Sequence, residues 1–357
     1  MGLYHGILDG YKCVAEEMKT KLVYVLTCAP DATYIEQALM AVWSARYHNP
    51  DAHIVLMTDN RTSELLHTDA KRGEILRYIT EEMALPFEDN YDMHYRSRWL
   101  KSHVRELNKG DLIYIDCDTI CAASLAELDK MDALMAMVPD EHLPVREYPE
   151  SITKPNREKS LKLGYDMSKE EWYFNGGVAY AKDHPDVRKL WATWHDEWEK
   201  GIQKGIKIDQ PSLGKANILC DHIIQRLPDV YNTLIYMNPV FAKDGKILHF
   251  WNFRNKSFLF AKPFLLYLRE NGLTDYAKAC IIDPLKSVLP FDNILTRCSI
   301  RDYFRYAKQI REQRKLYAEH VDASFADFPW PDDYSLWRKF VVIRVLGKKK
   351  DVDVFYS

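Results

Sequence analysis

The sequence lacks the features that mark membrane-spanning, exported and nucleic-acid-binding proteins. No apolar run approaches the roughly 18 residues that span a bilayer. The first 20 residues show no basic start followed by a long apolar core, so we expect no signal peptide. The formal net charge of −3 gives no reason to expect a nucleic-acid partner.

Cysteine pairs and glycine-rich phosphate loops are also missing. The seven cysteines are odd in number and form no Cys-x-x-Cys pair, so we expect reduced thiols in a cytoplasmic protein, not a disulfide framework or a zinc site. No Gly-x-x-x-x-Gly-Lys or Gly-x-Gly-x-x-Gly follows the first predicted strand, which argues against a classical dinucleotide-binding fold. The 357 residues have ordinary globular composition and suffice for one large domain with an appendage or two medium domains.

Apolar runs and helical spacings alternate along the first third of the chain. The runs predict strands at residues 22–27, 53–57, 75–79 and 112–116. Thr33-x-x-Glu36 matches a capping box before a helix, and residues 95–107 have helical spacing. Alternating strands and helices predict an α/β fold with a mostly parallel, Rossmann-like sheet and right-handed crossovers.

Two aspartates follow the last of these strands. Asp116 and Asp118 are one residue apart, so in an extended chain their side chains point to the same side. They would project at the carboxyl end of the strand, where open α/β sheets place ligands. Close carboxylates repel each other unless a cation lies between them, and a hard divalent ion that also binds phosphates meets this need. A simple turn after a strand explains the pattern equally well, since turns favour aspartate.

Further along, residues 141–170 are polar and proline-containing, which predicts a loop or lid over a site. The strand-like run at 172–180 carries Gly176 and Gly177 side by side. Two glycines weaken a strand, so we expect either a bulge or a ligand that approaches the backbone closely.

Two more polar residues occupy ordered positions. Asp209 precedes Pro211, and this pair is typical of a helix start, with Asp209 as an N-cap. His249 lies near the end of a short predicted strand at 246–251, where a histidine is often a structural, hydrogen-bonded residue.

Taken together, four motifs occur in a familiar order: Asp116-x-Asp118, Asn175–Gly176–Gly177, Asp209–Gln210 and His249. Over roughly residues 21–255 this order resembles the retaining family 8 glycosyltransferases, which include glycogenin and bacterial lipopolysaccharide glucosyl- and galactosyltransferases. The resemblance implies the GT-A nucleotide-diphospho-sugar transferase fold for a catalytic domain at 21–255. Residues 256–357 are then a helical, basic C-terminal extension.

The resemblance also implies roles for individual residues. Asp116, Asp118 and His249 are the implied metal ligands, and carboxylates with one imidazole suit Mn²⁺ somewhat better than Mg²⁺, the alternative ion. Asp209 and Gln210 match the catalytic pair beneath the anomeric carbon. The implied donor-binding residues are Thr27, Cys28, Ala29, Asp59, Arg98, Lys101, Cys117, Asn175, Gly176, Gly177 and Lys256.

The chain departs from the family's usual His-x-x-Gly-x-x-Lys-Pro-Trp. After His249 the glycine and the Pro-Trp pair are missing, and Lys256 stands one residue late for the phosphate-binding lysine. Arg96 competes with Arg98 and Lys101 for the donor contact, and all three also fit a solvated helix face. Such divergence indicates a distant branch, so the donor sugar and the acceptor are not inferred from better-known members.

The expected activity is transfer of a hexose from a UDP-sugar to a hydroxyl of a glycan or glycolipid, with retention and metal assistance. One alternative is an inverting GT-A enzyme with Asp209 or Asp140 as general base. Another is an inactive sugar-nucleotide binding protein. The basic, apolar tail at 336–357 fits either a peripheral contact with the inner face of a membrane or a solvated or disordered end.

Overall fold

The computed structural model describes residues 18–235, 244–251 and 257–287, together with single helical positions at Phe304, Lys308, Arg311, Lys315 and Glu319. The described strands, in chain order, are β1 (Lys21–Leu26), β2 (Ile54–Asp59), β3 (Glu81–Leu85), β4 (Leu112–Ile115), β5 (Thr119–Cys121), β6 (Met135–Pro139), β7 (Phe174–Ala181), β8 (Ile224–Arg226), β9 (Thr233–Leu234) and β10 (Ile247–His249).

Seven of these strands form one sheet in the order β3-β2-β1-β4-β7-β6-β8. β1 pairs in parallel with β2 and β4, and β2 pairs in parallel with β3, whereas β7 is antiparallel to both β4 and β6. The remaining three strands form a small sheet in the order β5-β10-β9. The mostly parallel α/β sheet predicted from the sequence is therefore confirmed.

The α-helices pack on both faces of the large sheet. In chain order they are α1 (Tyr34–His48), α2 (Asn60–Thr68), α3 (Met93–Ser102), α4 (Val104–Leu107), α5 (Glu150–Lys162), α6 (Pro185–Gln203), α7 (Gln210–Leu219), α8 (Lys262–Asn271) and α9 (Asp275–Ile282). Side chains of β1 alternate between two cores: Leu22 and Tyr24 pack with α1, and Val23 and Val25 pack with α6. Burial on both faces explains why the central strands have nearly continuous apolar sequences.

Two local expectations in the first hundred residues are wrong. Residues 75–79 are not a strand, because Arg72–Arg77 form a 3₁₀-helix and the third strand is β3 at Glu81–Leu85. β3 is an edge strand with polar, partly exposed residues, so an apolar run does not reveal it. The capping box also fails. Thr33 makes no cap hydrogen bond, and Glu36 instead accepts hydrogen bonds from Arg72 and Arg269.

Two other segments differ from the expectation in their helical content. The helix predicted at 95–107 is two helices, α3 and α4, separated at His103. The loop predicted at 141–170 contains the 13-residue helix α5, which has Pro155 in its interior. The proline misled the sequence interpretation, since a proline inside a helix removes one backbone hydrogen bond but leaves the neighbouring ones.

Residues 257–287 pack on the same core as the first half of the chain. Phe264 and Leu268 of α8 lie in one hydrophobic cluster with Leu39 of α1. Arg269 of α8 donates from Nε and Nη2 to Glu36 Oε1 and Oε2 over 2.9 and 3.1 Å. A domain division at 255/256 stays a prediction, and the tail at 336–357 lies outside the described residues.

Two further features concern the described residues only. None of their helices is long and apolar enough to cross a bilayer. Their five cysteines, at positions 28, 117, 121, 220 and 280, are free thiols.

Candidate functional site

The carboxyl ends of β1 and β4 open into a cavity of about 600 Å³. Its wall includes Thr27 after β1, Arg98 from α3, the acids after β4 and Trp251 after β10. This is the edge of the sheet at which parallel strands present ligand-binding residues. Trp251 is a large aromatic side chain with 51% of its surface exposed at this cavity.

A cluster of three potential metal ligands lies in this wall. Asp116 follows β4 and Asp118 precedes β5, while antiparallel pairing of β10 with β5 sets His249 opposite Thr119. One ligand atom from each of Asp116, Asp118 and His249 lies within 4.8 Å of the other two. The pairing of two short strands, separated by over 120 residues in sequence, thus brings the histidine to the two acids.

The donor atoms of this cluster fit a divalent cation. His249 Nδ1 lies 2.9 Å from Asn232 Oδ1, an oxygen that only accepts, so Nδ1 carries the ring hydrogen. His249 Nε2 is buried, makes no hydrogen bond with the described residues and lies 3.1 Å from Asp118 Oδ1. Once Nε2 has given up any proton, its lone pair beside two carboxylates is the arrangement that a bound Mn²⁺ or Mg²⁺ requires.

The pKa values of this pair show how strongly the two groups interact without a metal. Burial opposes a charge on His249, but the carboxylate of Asp118, helped by Asp116, raises the pKa of the imidazole above its usual value. Burial likewise opposes a charge on Asp118, and His249 lowers the pKa of that carboxyl nonetheless. Protons and a metal would therefore compete for the same atoms.

A second carboxylate site adjoins the first. Asp209 Oδ1 lies 3.1 Å from Arg98 Nε, and Oδ2 lies 3.3 Å from Lys101 Nζ, which is also 3.4 Å from Asp116 Oδ1. Burial disfavours the charge of Asp209, but Lys101 and Arg98 lower its pKa to about 2. Asp209 stands at the N-cap position of α7, as predicted, but its side chain makes no cap hydrogen bond and faces Arg98 and Lys101 instead.

Gln210 and Asn175 meet at a carboxylate. Asp140, which directly follows β6, accepts from Asn175 Nδ2 over 3.0 Å and from Gln210 Nε2 over 2.9 Å. Asn175 Oδ1 in turn accepts from Gly177 N and from Asn232 Nδ2, each over 2.9 Å. Asp140 appeared in the sequence only as an alternative base, although an acid at the end of a strand is the same signal that marks Asp116.

The two glycines of β7 are where side chains of the site press on the backbone. A Cβ atom at Gly177 would lie 2.8 Å from His249 Nδ1 and closer still to Cε1. A Cβ atom at Gly176 would lie 3.4 Å from Lys101 Nζ and 3.7 Å from Asp209 Oδ2. The β6–β7 pairing also shifts register near this point, between Met137 and Pro139. The close approach is thus made by the chain's own side chains.

The sequence-predicted donor residues divide into those that line the cavity, those that do not line it, and Lys256, which lies outside the described residues. Thr27, Arg98 and Cys117 line the cavity. Asp59 does not line it and is fully buried. Its carboxylate caps α2 by accepting from Thr62 N and forms an ion pair with Arg96. The remaining residues outside the cavity wall are Cys28, Ala29, Lys101, Asn175, Gly176 and Gly177.

Other contacts of these residues show what they bind. Cys28 is buried, and its amide donates to Thr62 Oγ1 over 2.8 Å. Of the three basic residues on α3, Arg98 and Lys101 face the acids of the site, whereas Arg96 is bound to Asp59. Lys256 lies outside the described residues. The donor-binding roles stay predictions.

Comparison with known proteins gives one family match and several similar solved structures. No curated protein matches the chain. Solved structures similar to this chain include galactosyltransferase LgtC in complex with donor and acceptor sugar analogs (15% identity, 64% of this chain and 86% of that chain, TM-score 0.41). Another is glycosyltransferase GlyE of Streptococcus pneumoniae TIGR4 (16% identity, 75% of this chain and 63% of that chain, TM-score 0.41). A third is the bifunctional glycosyltransferase WbbM (14% identity, 70% of this chain and 47% of that chain, TM-score 0.45).

The family assignment depends on the sequence match. The model of glycosyl transferase family 8 matches residues 25–257, a span that includes all four motifs and well over half of the chain. The GT-A fold predicted from the motifs is confirmed by this match together with the mostly parallel sheet. We conclude that the chain is a glycosyltransferase and belongs to glycosyl transferase family 8.

Proposed function

We propose that this glycosyltransferase moves a hexose from a UDP-sugar to a hydroxyl group of a glycan or glycolipid, with retention of configuration and with Mn²⁺ bound. The observation that carries the proposal is the cluster of Asp116, Asp118 and His249 beside a cavity of about 600 Å³. Ligand cavities in proteins typically span about 300–1,000 Å³, a range that accommodates a sugar nucleotide.

The three clustered residues would hold the cation. A divalent ion there neutralises negative charge on the departing diphosphate, which is worth several kcal/mol of transition-state stabilisation. Charge balance supports an anionic ligand at a cation in this site. With His249 neutral, as a metal ligand must be, the carboxylates of Asp116, Asp118 and Asp209 carry one negative charge more than their partners Arg98 and Lys101 supply. A bound divalent ion would give this cluster a net positive charge, which favours an anionic diphosphate.

Two observations favour retention over inversion. An inverting enzyme needs a carboxylate that accepts a proton as general base. Asp209 is a poor base, because its two cationic partners lower its pKa to about 2. Asp140 is a poor candidate as well, because both of its oxygens already accept amide hydrogen bonds.

Gln210 and Asp209 then take different roles. Asp140 binds the Gln210 amide through Nε2, so the carbonyl oxygen Oε1 is the atom left to stabilise positive charge at the anomeric carbon. Asp209 would orient a hydroxyl of the donor sugar, because a carboxylate held by two cations is a weak nucleophile. The acceptor hydroxyl would attack from the side of the leaving group, whose phosphate oxygen takes the proton.

A screen of sugar nucleotides tests the proposal. The purified chain is incubated with UDP-, GDP- and other nucleotide hexoses, with Mn²⁺ or with a chelator, and nucleotide release is measured. We expect Mn²⁺-dependent release from a UDP-hexose, with water receiving the hexose when no acceptor is present. NMR recorded before the free hexose mutarotates should show the anomeric configuration of the donor. Mn²⁺-dependent UDP binding without turnover would support an inactive binding protein, and an inverted product would support the inverting alternative.

Contact of the tail with a membrane surface is a separate proposal. The segment at 336–357 combines apolar residues with lysines and arginines, which attract anionic lipid headgroups. Co-sedimentation with anionic vesicles should decrease when residues 336–357 are deleted. Equal sedimentation of both chains would contradict it.

A further inference from the structure

A continuous line of buried hydrogen bonds connects Asp140 to the potential metal ligand. Asn175 Nδ2 donates to Asp140 Oδ1 over 3.0 Å, Asn232 Nδ2 donates to Asn175 Oδ1 over 2.9 Å, and His249 Nδ1 lies 2.9 Å from Asn232 Oδ1. Asn175 is 9% exposed, Asn232 0% and His249 2%. Asp140 is half-buried, and water is a poor substitute for the other three members of this line.

Fixed groups determine the direction of every bond in the line. Asp140 as a carboxylate can only accept, so Asn175 must turn its NH₂ group toward it. Gly177 N can only donate, and it bonds the other end of the same amide, Asn175 Oδ1, over 2.9 Å. Asn232 must then present its NH₂ group to Asn175 and its oxygen to His249. The imidazole consequently carries a hydrogen on Nδ1, which leaves Nε2, the nitrogen that faces Asp118, as the atom that a cation would bind.

The second oxygen of Asp140 orients a second amide. Gln210 Nε2 donates to Asp140 Oδ2 over 2.9 Å, so Gln210 Oε1 is turned away from the carboxylate. The Asp140 side chain thereby orients Gln210, the residue proposed at the anomeric carbon. Through three successive hydrogen bonds it also orients His249, a proposed metal ligand.

The backbone around Asp140 is held in place at some energetic cost. Glu141 and His142 both have left-handed backbone angles, with φ of 58° and 56°. Side chains other than glycine rarely adopt this region, and such strain concentrates at functional sites. Tyr148 Oη donates to the Asp140 carbonyl over 2.6 Å, and His142 Nε2 lies 3.0 Å from the Asn232 carbonyl. The strained turn thus holds two members of the line, Asp140 and Asn232, at once.

We propose that Asp140 is a positioning residue that orients the Gln210 amide and, through Asn175 and Asn232, selects the His249 tautomer that can bind a cation. The proposal rests on the metal role given under the proposed function. Hydrogen-bond partners of this kind typically change metal affinity by about 10- to 100-fold when they are removed.

The variant that tests it is Asp140→Asn, which keeps the size of the side chain but introduces an NH₂ group where two amides require an acceptor. Mn²⁺ affinity is measured by titration calorimetry on the full chain without substrate. The His249 tautomer is read from long-range ¹H–¹⁵N NMR of histidine-labelled protein at alkaline pH, where the ring is neutral, with His249→Gln to assign its signals. Asp229→Asn is the matched control, because Asp229 is buried and bonded to Arg226 but lies outside the line.

A rescue variant distinguishes relayed orientation from a general loss of structure. In Asp140→Asn/Asn232→Asp, the new carboxylate at position 232 accepts from His249 Nδ1 whatever the state of position 140. We expect Asp140→Asn to bind Mn²⁺ about 10- to 100-fold more weakly and to lose the pure Nδ1–H tautomer. The double variant should recover most of the Mn²⁺ affinity. If the two substitutions instead caused independent structural defects, their losses of Mn²⁺ affinity would add.

The outcomes separate the two proposals. Wild-type protein that binds no Mn²⁺ contradicts the proposed metal role, and the relay with it. The amide oxygen that remains at position 140 in Asp140→Asn could keep the bond to Asn175. Wild-type protein that binds Mn²⁺, with both Asp140→Asn and Asn232→Leu equal to it in affinity, therefore overturns the relay alone. If Asp140→Asn does not fold, Asn232→Leu replaces it. That variant removes the oxygen that accepts from Nδ1, and unchanged Mn²⁺ affinity in it overturns the relay as well.

Discussion

Gly177 and His249 are in such close contact that no larger residue fits at position 177. A Cβ atom there would lie 2.8 Å from Nδ1 of the imidazole, inside the closest distance that real Cβ atoms reach. Both residues are buried, one in the middle of β7 and the other at the end of β10. The orientation of the proposed metal ligand therefore depends on the absence of a side chain in a neighbouring strand.

Gly177→Ala should displace the imidazole of His249. We expect Mn²⁺ affinity to fall and the free energy of unfolding to decrease by about 1–3 kcal/mol, as for other overpacked interiors. Gly176→Ala is the matched control for both measurements, because its Cβ atom would meet Lys101 Nζ at 3.4 Å, an ordinary contact. Titration calorimetry and urea unfolding on both variants provide the comparison. Equal Mn²⁺ affinity of Gly177→Ala and wild type would contradict the expected displacement.

The sequence predicted the sheet edge and its acids because those features are local. Continuous apolar runs reveal β1, β2 and β4, and Asp116 and Asp118 follow one of them directly. Asn232 carries no such signal. It lies in an irregular turn, and its role arises from contacts with residues 57 positions earlier and 17 positions later. Tertiary pairing of this kind has no periodicity that a single sequence displays.

Local sequence patterns also fail to reveal the strand β3 and the helix α5. β3 has the sequence Glu-Glu-Met-Ala-Leu, whose acids suit an exposed sheet edge but not an apolar-run criterion. α5 contains Pro155, which local rules interpret as a break. In both cases packing against the rest of the chain outweighs local preference.

Lys101→Met should make the protein more dependent on a divalent cation. Lys101 Nζ lies between Asp116 and Asp209, and the residue is only 4% exposed, so its loss leaves close carboxylates with one cation fewer. We expect about 3–5 kcal/mol of destabilisation without metal. Mn²⁺ would replace part of the lost positive charge.

Thermal unfolding with and without Mn²⁺ measures this effect. The increase in Tm on adding Mn²⁺ should be larger for Lys101→Met than for wild type. Lys182→Met is the control, because its partner Asp132 is fully exposed and lies 4.0 Å away, so that pair is worth about 1 kcal/mol or less. An identical Mn²⁺-induced increase in Tm for Lys101→Met and wild type would show that Mn²⁺ does not replace the positive charge of Lys101.

Glu141 should make the stability of the protein fall as pH rises. Burial, helped by the neighbouring Asp140, raises the pKa of Glu141 from 4.5 to about 7. The folded protein then holds a proton between these two pH values that the unfolded chain releases, so the free energy of unfolding decreases across this window as pH increases. Glu141→Gln carries no such proton and lacks this contribution.

Urea unfolding at pH 5 and pH 8 compares the two proteins. Relative to Glu141→Gln, wild type should lose on the order of 1–3 kcal/mol between the two conditions. Other titrating groups are common to both proteins and cancel in the difference. Parallel changes of stability in the two proteins would show that Glu141 titrates normally.

Truncation after residue 256 should prevent stable folding, because α8 and α9 complete the core that covers α1. Phe264, Leu268 and Ile281 are buried there, and Glu36 loses Arg269 as a partner. Cooperative thermal unfolding, followed by circular dichroism, should be lost in the 1–256 chain and retained with a lower Tm in full-length Arg269→Ala. Unfolding of the 1–256 chain at the full-length Tm would instead support an independent domain that ends at 255.

The most direct measurement of the central claim is Mn²⁺-dependent release of UDP from a UDP-hexose by wild type and by Asp116→Ala/Asp118→Ala. We expect wild-type activity to saturate with Mn²⁺ and to disappear with a chelator. The double variant should bind no Mn²⁺ and release UDP at least about 10³-fold more slowly, since several kcal/mol of charge stabilisation is lost. UDP release by the double variant at the wild-type rate would contradict the proposed role of these two aspartates.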